Sequence, residues 1–420
     1  MSNSSKFDPT HPPPPLLSNE PNSFAYRTMT TRIPSVARQV LADHEVVYPA
    51  EIKRRVQVVH DDLFENRPLT PLETTAPDQH DWQQASRAHL GTPWLDAPWY
   101  FAEALFYRKL IEATGYFGRD SWAGRDPFLP RKTEELAGQT AWAVLISALS
   151  ASNEDSSASL RALLHFAVWG NRVDLSYMQI SQQSGTHIAL EQERENLLVD
   201  DTVAVVDHLA QGREETNRPG GPIWGPVRVD FILDNAGTEL LTDLALVDEL
   251  LQAGWVEQVM LHVKAHPTYV SDTTAADVEL TLTAMKARPE AEIVALAERL
   301  VLARTQHRLF VRPDFFWTSS HFFWKLPPPI TAELAQARLV IVKGDANYRR
   351  LVGDSRWPTT VPAAEAIPYF PAPLVALRTL KSDPIVGLPP GLAEQLDAED
   401  GEWRVNGKRG LIQAVFPVEH

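Results

Sequence analysis

The chain has 420 residues, a formal net charge of −15 and no cysteine. That length suffices for a sizeable core in one large domain or two. A composition of 44% hydrophobic and 22% charged residues excludes a wholly disordered chain, and the missing cysteine excludes a disulfide scaffold, a Cys-ligated zinc or iron–sulfur site and a thiol nucleophile.

Residues 1–22 carry Pro12-Pro13-Pro14-Pro15 among Ser and Asn and are expected to form a disordered or extended arm. A ligand for a polyproline-recognising domain is the alternative reading. The N-terminus has no apolar signal core, and no run approaches the ~20 apolar residues that span a membrane. A cytoplasmic address is expected, with nuclear entry left open. The acidic balance disfavours nucleic acid and anionic membrane as partners, although a pocket can be locally basic around an anionic substrate.

From about 26 to 149 the pattern is helical. Ile52, Val56 and Val59 recur at helical spacing, and the helix-forming run 102–114 stops at Gly115. Residues 151–158 form a polar break. Asn217-Arg218-Pro219-Gly220-Gly221-Pro222 is a stronger one, and it places the expected boundary between a mainly α-helical domain, 23–222, and a second domain, 223–420. Beyond it, apolar runs at 227–233, 256–263, 309–311 and 339–342 read as strands, with two more at 374–377 and 411–416. Helices are expected at 238–253, with Leu240, Leu244, Val247 and Leu251 on one face, and at 275–286 and 289–304. Strand–helix alternation predicts an α/β fold whose mostly parallel sheet has helices on both faces.

Open parallel sheets bind ligands at the carboxyl ends of their strands. Those ends carry Asp234-Asn235-Ala236-Gly237, then Ser271-Asp272-Thr273-Thr274 a short loop later, then Lys343-Gly344-Asp345-Ala346-Asn347-Tyr348-Arg349-Arg350 and Arg378-Thr379-Leu380-Lys381. Asp and Asn oxygens are the hard ligands that Mg²⁺ or Mn²⁺ prefers. Lys and Arg suit a phosphate and its transition-state charge. Each block also has a plain structural alternative. Asp234 and Asp272 make good helix caps, the 343–345 stretch a surface turn, and Phe315-Phe316-Trp317 and Phe322-Phe323-Trp324 core packing rather than a lid. His262 and His266 alternate as a zinc pair would, but strand histidines are more often core or surface residues.

The blocks 234–240, 270–273, 343–349 and 378–381 resemble the metal-dependent damage-control phosphatases, and more narrowly their sugar-phosphate phosphatase or acidic-residue methyltransferase-like subfamily, marked by Arg-Thr-any-Lys. Pro98-Trp99-Tyr100-Phe101-Ala102-Glu103, Tyr107-Arg108-Lys109, Asp126-Pro127-Phe128 and Trp169-Gly170-Asn171-Arg172-Val173-Asp174-Leu175-Ser176 extend the resemblance over nearly all of the chain after the arm. It implies a three-layer α/β/α domain preceded by an α-helical region. It also implies one divalent ion (Mn²⁺, Co²⁺, Ni²⁺ or Mg²⁺) on Asp234, Asn235 and Asp272. Substrate would be lined by Asp234, Asn235, Asp345, Ala346, Asn347, Tyr348 and Arg349, Lys381 would sit on its phosphate, and Glu239 and Glu103 would stand nearby. Thr238 and Ala346 replace the Phe and Leu that relatives often have there, which bears on substrate preference.

The implied activity is hydrolysis of small phosphorylated metabolites, sugar phosphates such as fructose 1-phosphate or fructose 6-phosphate among them. The residue types do not separate water from the Asp234 carboxylate as nucleophile. The alternative within the family is an S-adenosylmethionine-dependent protein carboxyl methyltransferase, but no Gly-x-Gly-x-x-Gly turn follows a strand here. A non-enzymatic scaffold would leave the polar strand ends unexplained.

Overall fold

The computed structural model describes residue 7 and residues 12–151, 155–170, 195–217 and 226–416. Arg218 to Pro222, and the block beyond Gly170 as far as Ser176, lie outside the described residues. The sheet forms where apolar runs are uninterrupted. β2 (Arg228–Ile232), β3 (Gln258–Lys264), β5 (Leu339–Lys343) and β6 (Leu374–Thr379) are almost wholly buried, as strands covered on both faces must be. Residue alternation sorts the two faces. Phe231, Ile341 and Val375 join one hydrophobic cluster, while Ile232, Val340, Val342 and Ala376 join another. The first is covered by helices Gln139–Ser150, Ser156–Trp169, Thr238–Gln252, Ala275–Lys286 and Ala291–Thr305, the second by Pro328–Leu334, Gly344–Val352 and Leu392–Glu399. This is the expected three-layer α/β/α arrangement.

Among the described residues the sheet has seven strands in the order β1-β7-β6-β5-β2-β3-β4, with β1 at Leu197–Asp200, β4 at Leu309–Asp314 and β7 at Gly410–Val415. All neighbouring pairs are parallel except β6 with β7. From β2 the chain builds outward to β3 and β4. It then returns to the other side of β2 with β5 and builds outward to β6. The direction of winding therefore reverses between β2 and β5, and a crevice opens at the carboxyl ends of these two strands. Asp234 and Gly344-Asp345 stand there.

Two features depart from the expected organisation. β1 comes from upstream of the 222/223 boundary yet forms the edge of the sheet, paired with β7. Leu145, Leu163 and Leu164 share one core with Leu240, Leu244 and Val259, so the later N-terminal helices are part of the α/β unit's own covering layer. A separate cluster, from Leu16 to Phe128 with Tyr269, Val270 and Phe322 against it, packs the earlier helices over the strand ends.

The expected disordered arm is the second departure. Leu16 is 5% exposed; its N–H donates to Asp354 O at 2.9 Å and its carbonyl accepts from Trp99 N at 2.8 Å. Proline has no N–H, but its carbonyls still accept, and Pro13 O takes the Ser355 hydroxyl at 3.0 Å. The Phe7 ring lies 5.3, 5.5 and 5.9 Å from those of Trp324, Trp357 and Tyr369. Residues 12–22 are thus docked, because apolar side chains between the prolines find buried places. The aromatic runs 315–317 and 322–324 pack as core around Arg350, which donates to the carbonyls of Phe316, Trp317 and His321 at 2.7, 3.1 and 2.9 Å. Among the described residues no helix is long and apolar enough to cross a membrane.

Docking of the arm is measurable. Leu16→Ala is expected to lower stability by about 2–3 kcal/mol, as for other buried leucines. Urea unfolding reads this directly, and a loss of only a few tenths would mean that the segment carries no packing energy.

Candidate active site

The loops after β2 and β3 are laced together by their backbones. Ala236 N donates to Ser271 O at 2.7 Å, Thr273 N to Asp234 O at 2.7 Å and Lys264 N to Thr273 O at 2.9 Å; Asn235 and Asp272 form an antiparallel bridge. This zipper sets the two acidic residues on one rim. Just before Asp272 the chain makes a three-residue turn, Ser271 N to Tyr269 O at 2.8 Å, with Val270 at φ +67° and Tyr269 at φ +46°. Neither is glycine, and such a turn is rare and strained, costing of order 1–3 kcal/mol per residue.

Asp234 is 4% exposed and Asp272 2%. Asp234 Oδ2 accepts from Asn235 Nδ2 at 2.9 Å, while its Oδ1 is buried without a partner. Asn235 Nδ2 also reaches Glu239 Oε2 at 2.9 Å, and its Oδ1 accepts from Ser271 at 2.6 Å. Lys264 Nζ stands 3.2 Å from Asp272 Oδ2. Burial pushes the Asp234 carboxyl well above the usual range, and the Asp272 and Glu239 charges push the same way. Burial also raises Asp272, against the pull of Lys264.

Two carboxyls raised by burial, one with a free oxygen, and an amide beside them fit a divalent cation that prefers oxygen ligands. Among the described residues no three His, Cys, Asp or Glu converge to hold a metal by themselves; a third donor to an ion at the carboxylate pair would be the Asn235 amide. The histidine pair does not converge either. His262 Nε2 is bonded to Asp230 at 2.9 Å, and His266 Nδ1 to Pro267 O at 2.9 Å.

The floor comes from helix Gly344–Val352. Gly344 has φ +80°, and a Cβ there would overlap the Asp234 carboxylate, so only glycine lets β5 end this close to β2. Asp345, Ala346 and Arg349 follow on the helix face toward the cavity, while Asn347 and Tyr348 lie on the other side. Asn347 Nδ2 donates to Leu233 O at 3.1 Å and Lys343 O at 2.9 Å, tying β2 to β5. The Tyr348 hydroxyl donates to Gln413 at 3.0 Å. Arg349 lines the cavity, but its charge is already answered. It donates to Glu103 Oε2 at 2.6 Å and to both Asp354 oxygens at 2.7 and 3.1 Å, with Trp99 beneath it at 3.8 Å.

The cavity, of about 190 Å³, is lined by Asp234, Asn235, Glu239, Asp272, Asp345, Ala346, Arg349 and Lys381, and from the N-terminal helices by Glu103, Trp99, Phe24, Thr28 and Arg32. Sequence reasoning missed Phe24, Thr28 and Arg32, although their spacing of four gave a signal. It also missed a buried layer beneath: Lys343 Nζ lies 2.9 Å from Asp243 and 3.5 Å from Glu239.

A family model for the damage-control phosphatase ARMT1-like domain matches residues 28–396. The chain belongs to that family. It is similar to the damage-control phosphatase ARMT1 of Xenopus laevis, at 32% identity over 97% of this chain and all of that one. The Mus musculus protein of the same name is 31% identical over 96% and 98% of the two chains, and the Homo sapiens one 28% identical over 97% and 99%. A crystal structure of a DUF89 family protein from Pyrococcus horikoshii aligns with a TM-score of 0.48 at 13% identity, covering 92% of this chain and 96% of that one.

In this family member the residues of the Arg-Thr-any-Lys motif divide their tasks. Arg378 Nε donates to Asp345 Oδ1 at 2.7 Å and its Nη2 to Ser382 O at 2.9 Å. Thr379 donates to Val168 O at 2.8 Å. Lys381 N donates to Asp345 Oδ1 at 3.0 Å, while its ammonium makes no hydrogen bond or ion pair with any described residue. Burial pushes Asp345 up, but Arg378 and the Lys381 N–H outweigh it and hold the carboxyl below its ordinary value. Asp345 is therefore the anionic clasp that presents Lys381.

Gly344→Ala should lower stability by about 1–3 kcal/mol, because a side chain at this φ is strained and displaces Asp234, and if Asp234 holds a divalent ion it should weaken binding of that ion at least tenfold. Calorimetric metal titration and urea unfolding check both, and unaltered metal affinity would place Asp234 outside the metal site.

Asp243 gives a pH test. Burial chiefly, and Glu239 with it, push its carboxyl up to about 7 against the pull of Lys343. The unfolded chain ionises the same group at about 4, so between those values the folded state holds a proton that the unfolded state has lost. This group's contribution to stability is full below pH 4 and falls as pH rises to 7. Asp243→Asn should flatten that part of the stability–pH curve; an unchanged slope across pH 4–7 would rule Asp243 out as its source.

Proposed function

We propose that the chain is a divalent-metal-dependent phosphatase acting on small phosphorylated metabolites, with sugar phosphates such as fructose 1-phosphate and fructose 6-phosphate among its substrates, and that it works in the cytoplasm or nucleus. One observation carries the reading. A buried carboxylate pair with a free oxygen and the unpaired Lys381 ammonium line one cavity at the switch point of the sheet. The relatives' name, damage-control phosphatase, supports it.

Asp234, Asn235 and Asp272 would hold the ion, for which Mn²⁺, Co²⁺, Ni²⁺ and Mg²⁺ are the candidates. When bound, it supplies Lewis-acid stabilisation of phosphate charge. The chain's own residues do the rest. Lys381 binds the phosphate, with its turn clasped by Asp345. The Glu103–Arg349–Asp354 network fixes the floor without spending the Lys381 charge. The helices over the strand ends keep bulk water from the carboxylates, which strengthens each charge interaction.

Metal-stripped protein given each of the four ions should release inorganic phosphate from a panel of phosphorylated metabolites, and a chelator should stop it. In the same assay Lys381→Ala should lower kcat/KM by about 30- to 1000-fold, the ~2–4 kcal/mol expected of one charged transition-state contact, while the metal titration stays as in the parent. A change under twofold would remove Lys381 from the site. No release with any ion, beside robust methyl transfer from S-adenosylmethionine to protein carboxylates, would overturn the phosphatase reading.

A further inference from the structure

Three cations line the cavity: Arg349, Lys381 and Arg32. Arg349 is bound by Glu103 and Asp354. Lys381 belongs to the strand-end wall, where its charge acts on Asp234. Arg32 belongs to the opposite wall, built by the segment Phe24–Arg32. Phe24, Thr28 and Arg32, four residues apart, present one face of that segment to the cavity. Its last turn, Thr28–Arg32, is π-helical, a geometry that often accompanies functional sites.

The charge of Arg32 acts on the buried Tyr107 hydroxyl, and unlike Arg27 it is in no ion pair with a described residue. Arg27, one turn earlier, pairs with Glu402 at 2.9 Å. The Arg32 guanidinium makes no hydrogen bond or ion pair with any described residue, in a chain of net charge −15. Its side chain is exposed while Asp234 and Asp272 are buried, so it stands at the open end of the cavity. A phosphate at the buried end has Lys381 there. A second cation at the open end does nothing for a neutral tail, but it attracts another anion and can hold it through two parallel donors.

We propose that Arg32 selects phosphate esters whose non-phosphate half carries a second anionic group, a carboxylate or a further phosphate. This rests on the phosphatase reading of the same cavity and ranks doubly anionic esters above monophosphates with a neutral tail, such as fructose 1-phosphate and fructose 6-phosphate.

The test compares phenyl phosphate with 4-carboxyphenyl phosphate, which differ by one carboxylate and carry one hydrolysable bond each. For the metal-loaded parent chain, kcat/KM should favour the carboxylated ester by about tenfold at low salt, mainly through KM, and the preference should shrink as salt is raised. Arg32→Ala should abolish the preference and Arg32→Lys should keep part of it. Equilibrium binding of benzylphosphonate and 4-carboxybenzylphosphonate, measured by calorimetry, should show the same ratio without turnover, and thermal melts should show both variants folded. Hydrolysis of both esters at equal efficiency by the parent, or an Arg32→Ala penalty equal on the two, would overturn the proposal and leave the phosphatase reading standing. Hydrolysis of neither ester, with phosphonates bound in the expected ratio, would overturn the phosphatase reading while the anion selectivity holds; no hydrolysis and no difference in binding would overturn both.

Discussion

Two carboxylates held side by side out of water repel each other, and the architecture around the crevice is arranged to tolerate that. The backbone zipper between the 234–236 and 271–273 segments fixes their separation without using the side chains. Around them stand buried cations: Lys264 beside Asp272, and Lys343 between Glu239 and the Asp243 carboxyl. Asn235, bonded at once to Asp234 and Glu239, contributes dipoles rather than charge. A pair of this kind is unfavourable by itself. The strained turn at Tyr269 and Val270 adds to that cost, and both fall where a ligand would offset them.

The N-terminal helices complete this arrangement through one residue. Asp354, itself at φ +46°, takes Arg349 on both carboxylate oxygens, receives the Tyr100 N–H at 3.1 Å and through its carbonyl receives Leu16 N. The docked arm, the start of helix Trp99–Ala113 and the floor of the cavity therefore meet at a single turn. Loss of either partner of the buried Arg349–Asp354 pair would leave a charge uncompensated, which commonly costs several kcal/mol.

Much of this was legible in the sequence. The four apolar runs of the central sheet are continuous because those strands are covered on both faces, and their polar ends mark the crevice directly. The site residues on those ends, Asp234, Asn235, Asp272, Asp345 and Lys381, are brought to one cavity for that reason. β1 was not legible, since four half-buried residues of an edge strand give neither alternation nor a long apolar run. Asn347 and Tyr348 sit beside Asp345 in the motif but on the far side of the helix, and helical phase, not sequence adjacency, decides which residues face a cavity. Docking of the Pro-rich arm depends on a place for Leu16 among the helices up to Phe128 and on rings beside Phe7 more than 300 positions away, which no local pattern reveals.

The place of β7 governs when the molecule can take shape. It is the last strand among the described residues but lies inside the sheet, antiparallel to β6 on one side and parallel to β1 on the other. During synthesis β6 must wait with an open edge, and β1 has no strand beside it, until residues 410–415 leave the ribosome. Contacts between positions about 200 residues apart form only then, the kind of non-local pairing that slows folding. Until then an apolar strand edge is exposed to other chains.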